Sequence, residues 1–154
     1  MGIDVVCVSS RDARAHVCRR VLQALPDWFG IPDAIEDYAR DCRDLPMWVA
    51  FDGGSPIGFC ACKETSPAAL DLHVLGILQS YQRVGIGRRF CAIAETFARE
   101  KGKRLLSVMT LSDGHPDPFY AKTRAFYRTM GFLPLMTVDI WGPENPCLIM
   151  VKPL

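Results

Sequence analysis

With 154 residues the chain is long enough for one well-buried core and too short for two ordinary domains, so a single domain over residues 1–154 is expected. Apolar residues make up 49% and charged residues 23%, a globular balance that excludes a disordered chain, and a net charge of +1 gives no field that would make nucleic acid or an anionic membrane the main partner. No apolar run reaches membrane-spanning length, and Asp4 early in the chain makes a poor signal peptide; a cytoplasmic protein is the expectation.

Residues 3–8 are β-branched and apolar and predict a first strand. Ser9 and Ser10 are placed to cap a helix in which Ala13, His16, Val17, Val21, Ala24 and Leu25 recur at helical spacing, and Pro26 and Gly30 end it. A shorter helix is predicted from near Pro32, with Ile35, Tyr38 and Ala39 on its buried side and Asp33, Glu36 and Asp37 toward its positive end. Strands follow at residues 47–51, 57–64 and 69–77, joined by Gly53-Gly54 and Ser66-Pro67, a series that suggests an antiparallel meander. Residues 86–101 carry Phe90, Ile93, Ala94 and Phe97 on one helical stripe, with Gly102 as the C-cap. The strand at residues 105–111 comes after that helix and is expected to run parallel to the strand before it. Residues 112–119, with Asp113, Gly114, Pro116 and Pro118, predict a loop, residues 120–130 a helix ending at Gly131, and residues 132–141 and 147–152 a closing hairpin. The seven cysteines form no pair of C-x-x-C units, and their odd number argues against a disulfide framework. Core packing is expected for most of them, including Cys60 and Cys62, and no metal site is expected.

The most informative stretch is Gln82, Arg83, Val84, Gly85, Ile86, Gly87, Arg88, Arg89, set between an apolar strand and a helical pattern. A strand that turns through two glycines into a helix presents backbone N–H groups at the positive end of the helix dipole, which suits a phosphate. Gly85 and Gly87 have no Cβ to hold phosphate oxygens away, and Arg83, Arg88 and Arg89 add charge nearby. Two glycines alone are equally readable as an ordinary turn. No Lys followed by Ser or Thr comes after Gly87, which argues against a P-loop, and the three-glycine dinucleotide fingerprint is incomplete.

Gln82, Gly85 and Gly87 satisfy the Gln/Arg-x-x-Gly-x-Gly/Ala acyl-CoA signature of the GNAT family of N-acetyltransferases, and the chain resembles that family in a second place. Phe126, Tyr127, Gly131 and Phe132 are similar to its Phe-Tyr-x-x-x-Gly-Phe segment. The resemblance runs from about Met47 to the C-terminus and is weakest over the first forty or so residues. It implies an α/β (mixed α+β) fold: a mostly antiparallel seven-stranded sheet with a splayed parallel pair in the centre and about four helices on both faces. It implies an N-acetyltransferase that moves an acetyl group from acetyl-CoA, as co-substrate and without a metal, to a primary amine of a small molecule or protein by direct attack. The partners implied are acetyl-CoA and an amine acceptor, with no nucleic acid and no membrane; homodimers through an edge strand or hairpin are frequent in proteins resembling this one. An acyl-CoA-binding sensor or interaction module without turnover is the competing class. An RNA-directed acetyltransferase of the toxin type calls for a basic surface that the net charge of +1 does not supply.

Acetyl transfer to an amine needs a neutral amine, a donor for the developing oxyanion and a proton for the leaving thiolate. Asp71 and His73 alternate on one strand face with Leu75 and Ile77. Alignment on Gly85 puts Asp71 where histone-acetyltransferase-type members carry a catalytic glutamate; the resemblance implies a base acting through a water, or a group that orients the acceptor, against a plain surface carboxylate. The backbone N–H of Leu75, freed by a strand bulge, is the implied oxyanion donor, and the Tyr127 hydroxyl the implied acid, with packing beside Phe126 and Phe132 as its other role. The implied cofactor-binding positions are Leu75, Ile77, Gln82, Arg83, Val84, Gly85, Ile86, Gly87 and Arg88. Arg124, one turn before Tyr127, is placed either to approach the CoA 3′-phosphate or to stay solvated. The chain departs from the family where many members have asparagine seven residues before the tyrosine; here that residue is Tyr120. Acceptor selectivity in such folds comes from the first two helices, their loop and the closing hairpin, which points to Trp28, Phe29 and Trp141 and to the carboxylates Glu36, Asp37 and Glu144.

Overall fold

A computed structural model of the protein describes residues Gly2–Leu154. The chain forms, in order, β1 (Asp4–Cys7), α1 (Arg11–Gln23), α2 (Pro32–Cys42), β2 (Met47–Asp52), β3 (Ser55–Glu64), β4 (Ala69–Ile77), a 3₁₀ turn (Gln79–Tyr81), α3 (Ile86–Glu100), β5 (Leu105–Leu111), α4 (Pro118–Thr129), β6 (Leu133–Val138) and β7 (Cys147–Pro153). Seven strands make one sheet in the order β1-β2-β3-β4-β5-β7-β6, with β4 and β5 parallel. This is the mixed α/β sheet with a central parallel pair that the sequence predicts. The chain divides into two compact units, one of residues up to Lys63 together with His73–Ile93, the other of Glu64–Leu72 with Ala94–Leu154.

In the first unit Ser10 Oγ accepts the Ala13 N–H at 3.2 Å and caps α1, and Pro32 supplies the preset φ that opens α2. The two helices bury Val17, Cys18, Val21 and Leu22 from α1 and Ile35, Ala39 and Cys42 from α2 against Met47, Val49, Phe59, Ala61 and Val74. Strand alternation builds that face: Met47 pairs with Ala61 and Val49 with Phe59 across β2 and β3. α1 approaches closely over Gly76, where an added Cβ would lie 3.2 Å from Val21 Cγ1, 3.2 Å from Leu22 Cδ2 and 3.3 Å from Phe59 Cε1 of β3. Gly76→Ala is therefore expected to overpack this contact and destabilise the fold by about 1–2 kcal/mol in urea unfolding. Unchanged stability would show that the α1 side chains yield freely.

In the second unit β5 pairs antiparallel with β7 over its whole length, from Leu105 with Pro153 to Leu111 with Cys147, and β6 closes the sheet edge. The β6–β7 register slips between Pro134 and Met136, and Leu133, Leu135 and Met136 are exposed. The parallel β4–β5 ladder covers only Ala69–Leu105, Leu70–Leu106 and Asp71–Ser107, although both strands continue beyond it. Lys103 is buried at the turn into β5, its Nζ donating to the Ser66 carbonyl at 2.9 Å with Glu64 3.5 Å away. α4 begins at Pro118, two residues before the predicted start at Tyr120. Asp117 Oδ1 accepts from the Phe119 and Tyr120 N–H groups at 2.8 and 3.3 Å, so the Asp-Pro pair read as loop is a helix start.

All seven cysteines are free thiols, and only Cys7 is exposed. The Cys60 thiol is pushed well up, first by its hydrogen bond with Cys62 and then by burial, which makes it an inert core group. Among the described residues no cluster of three or more His, Cys, Asp or Glu side chains is placed to hold a metal, and no helix is long and apolar enough to cross a membrane.

Candidate active site

The glycine-rich turn lies in the first unit. The Leu78 N–H donates to the Ile57 carbonyl at 2.9 Å as β4 ends, and the chain reverses through Gln79–Tyr81. Gln82 Nε2 reaches back to the Ile77 carbonyl at 2.9 Å, clamping the loop to the strand end. Arg83 and Gly85 both take positive φ, 65° and 92°, and the chain then enters α3 with Ile86 and Phe90 buried beneath it. The first amide of this run to find a carbonyl is Arg89, on Gly85 at 3.1 Å; among the described residues, the N–H groups of residues 83 to 88 have no backbone acceptor. They are the donors that every helix start leaves over, extended by the turn before it. Arg83, Val84, Gly85 and Arg88 are exposed at this turn, whereas Arg89 is drawn off to donate to the Ile3 carbonyl at 2.9 Å.

β4 enters this unit at His73. Its Nε2 lies 3.0 Å from Asp41 Oδ2 near the C-terminal end of α2, and its ring stands edge-on to Tyr38 at 5.5 Å, which is itself edge-on to Phe29 at 6.1 Å. Val74, the next residue, sits in the core cluster with α1 and α2. From Leu72 to Ile77 buried and half-buried residues alternate regularly. Leu75 and Ile77 are half-buried.

The second unit holds the remaining candidates. Asp71 is 5% exposed and accepts the Ser107 hydroxyl at 2.6 Å, its neighbour in the last rung of the parallel ladder; it is not a surface carboxylate. The Cys147 thiol is raised by burial and then by the Asp71 charge. Tyr127 is 7% exposed, with ring centroids 5.4 Å from Phe126 and 5.5 Å from Phe132. Arg124 is likewise 7% exposed and donates through Nη1 to the Leu111 carbonyl at 2.7 Å, so it is no solvated helix arginine. Tyr120, Arg124 and Tyr127 follow at helical spacing on the inner stripe of α4.

The structure thus groups His73, Leu75, Ile77 and residues 82–88 in one unit and Asp71, Arg124 and Tyr127 in the other. Two carboxylates raised as acceptor contacts are already engaged: Glu36 binds Arg19 through both oxygens, which lowers its pKa, and Asp37 pairs with Arg40. Trp28 and Phe29 are half-buried against the core, and Trp141 and Glu144 are exposed. Asp41 and Ser107 were not legible as functional neighbours. Asp41 lies 32 residues from the histidine that it touches, and Ser107 is 36 residues from Asp71.

The family model described as the acetyltransferase (GNAT) family matches residues 16–132. No curated protein matches the sequence significantly. Among solved structures, the chain is similar to a protein assigned to the GNAT family from Desulfovibrio desulfuricans, with TM-score 0.82 and 20% identity over 99% of each chain. It is similar to a GNAT family acetyltransferase from Elizabethkingia anophelis with acetyl-CoA bound, with TM-score 0.74 and 13% identity over 99% of this chain and 98% of that one. An aminoglycoside 6′-N-acetyltransferase complexed with coenzyme A aligns with TM-score 0.75 and 16% identity over 99% of this chain and 97% of that one.

Proposed function

The chain belongs to the GNAT acetyltransferase family, and from that premise we propose that it transfers the acetyl group of acetyl-CoA to a primary amine of a small molecule or protein by direct attack. The observation that carries this reading is the run of N–H groups at residues 83 to 88, with Gly85 in the left-handed region and no backbone acceptor taking them. An array of amides at a helix start fits a diphosphate, and the exposed Arg83 and Arg88 add charge to it. In this reading Gln82 supports the cradle through Ile77 rather than by charge, and Leu75 and Ile77 meet the pantetheine arm.

The chemistry then falls to few groups. The N–H of Leu75 stabilises the oxyanion that develops on the acetyl carbonyl, and the Tyr127 hydroxyl gives the thiolate its proton. Asp71 orients the acceptor or passes its proton by way of a water; its burial and the Ser107 hydrogen bond favour the orienting role. Arg124 ties α4 to β5 through one N–H on the Leu111 carbonyl, and its other N–H groups are the donors for the CoA 3′-phosphate in this reading. Seven free thiols suit a reducing, cytoplasmic setting.

The test is thiol release from acetyl-CoA over a panel of spermidine, kanamycin, a peptide with a free N-terminus and an N-blocked lysine peptide. Release above the acceptor-free rate with at least one amine, with acetylated product by mass spectrometry, is expected. Calorimetric binding of CoA with no release for any amine would favour an acyl-CoA sensor, and absence of binding would remove the reading altogether.

A further inference from the structure

In the second unit β5 and β7 bury Leu106, Val108, Thr110, Leu148 and Met150 on one face of the sheet. The register sets Met109, Ile149 and Met136 in one row across β5, β7 and β6 on the opposite face, and Ser107, Val151 and Leu133 in the next. Met109, Met136 and Leu133 are 44%, 52% and 59% exposed. A sheet with one wet face ordinarily turns its apolar residues inward and its polar ones outward. Here the outward face is apolar as well, with Ser107 the one polar residue of its two rows. We infer that a second copy of the chain packs on this outward face, sheet against sheet about a two-fold axis.

Charge selects the occupant. A two-fold interface brings each residue near its own copy, so a charge in it meets a like charge, whereas a partner of different sequence is ordinarily held in register by complementary charges. Residues 105–111, 132–138 and 147–151 contain no charged residue at all. The nearest charges are out of play: Asp71, beyond Ser107 in its row, is buried on the Ser107 hydroxyl, and Lys152 is paired with Glu95 at 2.8 Å. Such a face repels no copy of itself and offers a charged partner nothing to pair with.

The face, not the free edge of β6, is the surface that pairs. Pro134 has no N–H to give a further strand, and the register slip between Pro134 and Met136 turns the edge away from one; both are devices by which an edge strand resists pairing. The area is sufficient. With Ile140 and Trp141, exposed just past β6, the patch offers roughly 600 Å² to a partner, so a pair buries about 1,200 Å², the low end of a specific interface. Stacked sheets lie about 10 Å apart, and methionine fills irregular gaps between them, which suits Met109 and Met136 on that face.

Sedimentation velocity on the wild-type chain from about 1 to 100 µM is the experiment, and it needs neither acetyl donor nor acceptor. A species of twice the 17.2 kDa chain mass is expected, with a Kd of about 1–10 µM. The double variants Met109→Glu/Met136→Glu and Met109→Lys/Met136→Lys should each weaken self-association by at least about 100-fold, because the new charges face their own copies. Mixed one to one, the two variants should dimerise again. A wild type that stays monomeric at about 100 µM overturns the inference and leaves the face to the apolar part of an acceptor or to a different protein. A dimer that both folded variants keep, or a mixture that stays monomeric, overturns it as well. If the variants do not fold, peroxide footprinting of the wild type decides: Met109 and Met136 should oxidise several-fold more slowly at about 100 µM than at about 1 µM, and equal rates reject the face. None of these outcomes bears on the acetyltransferase reading, which turnover alone tests.

Discussion

Gly85→Glu is expected to weaken CoA binding by at least about 100-fold, about 2.7 kcal/mol, in a protein that still folds. Three effects of the substitution are separable. A Cβ at Gly85 meets no atom within 4 Å, so steric conflict with the protein contributes nothing. The φ of 92° strains any L side chain, at about 1–2 kcal/mol of stability. The carboxylate itself would occupy the N–H groups of residues 83 to 88 and repel a phosphate arriving there. Gly85→Ala carries the strain without the charge and should change CoA affinity by no more than a few-fold. Calorimetry on both variants, with thermal melts as the fold control, decides the matter. Equal losses in Ala and Glu would assign the effect to backbone strain, and wild-type affinity in a folded Glu variant would show that no phosphate sits at these amides.

What could be read from the sequence follows the range of the forces involved. Ala69–Ile77 and Leu105–Leu111 have the bounds that hydrophobic patterning gives them, because strands in the middle of a sheet are buried on both sides and end at turn residues. The loop at Gln82–Arg88 was legible because its conformation is set by local chemistry, two glycines and a helix start. α4 was misplaced by two residues because Pro116 and Pro118 both signal loop, and only the capping bond from Asp117 distinguishes the second as a helix opener. Burial was harder to read. Arg124 looks like a surface residue by type, yet it shares the inner stripe of α4 with Tyr127 and finds a carbonyl there. Asp71 looks like one as well, and its ladder partner Ser107 supplies the hydrogen bond that makes its burial tolerable. Neither partner is coded near the residue it serves. The same holds for Asp41 beneath His73: helix periodicity predicts that α2 packs, not which strand residue its exposed carboxylate will meet.

Tyr127→Phe is the substitution with the next largest expected effect, a fall in kcat of about 100-fold, or about 2.7 kcal/mol in the barrier. The ring contacts argue that little else should change. Phenylalanine keeps the aromatic faces at 5.4 Å from Phe126 and 5.5 Å from Phe132, so the helix-to-sheet packing survives. Only the hydroxyl is lost. If that hydroxyl protonates the leaving thiolate, kcat falls with CoA affinity unchanged. If it serves only structure, a melt will register a loss of about 1 kcal/mol while kcat holds. The two outcomes differ in which measurement moves.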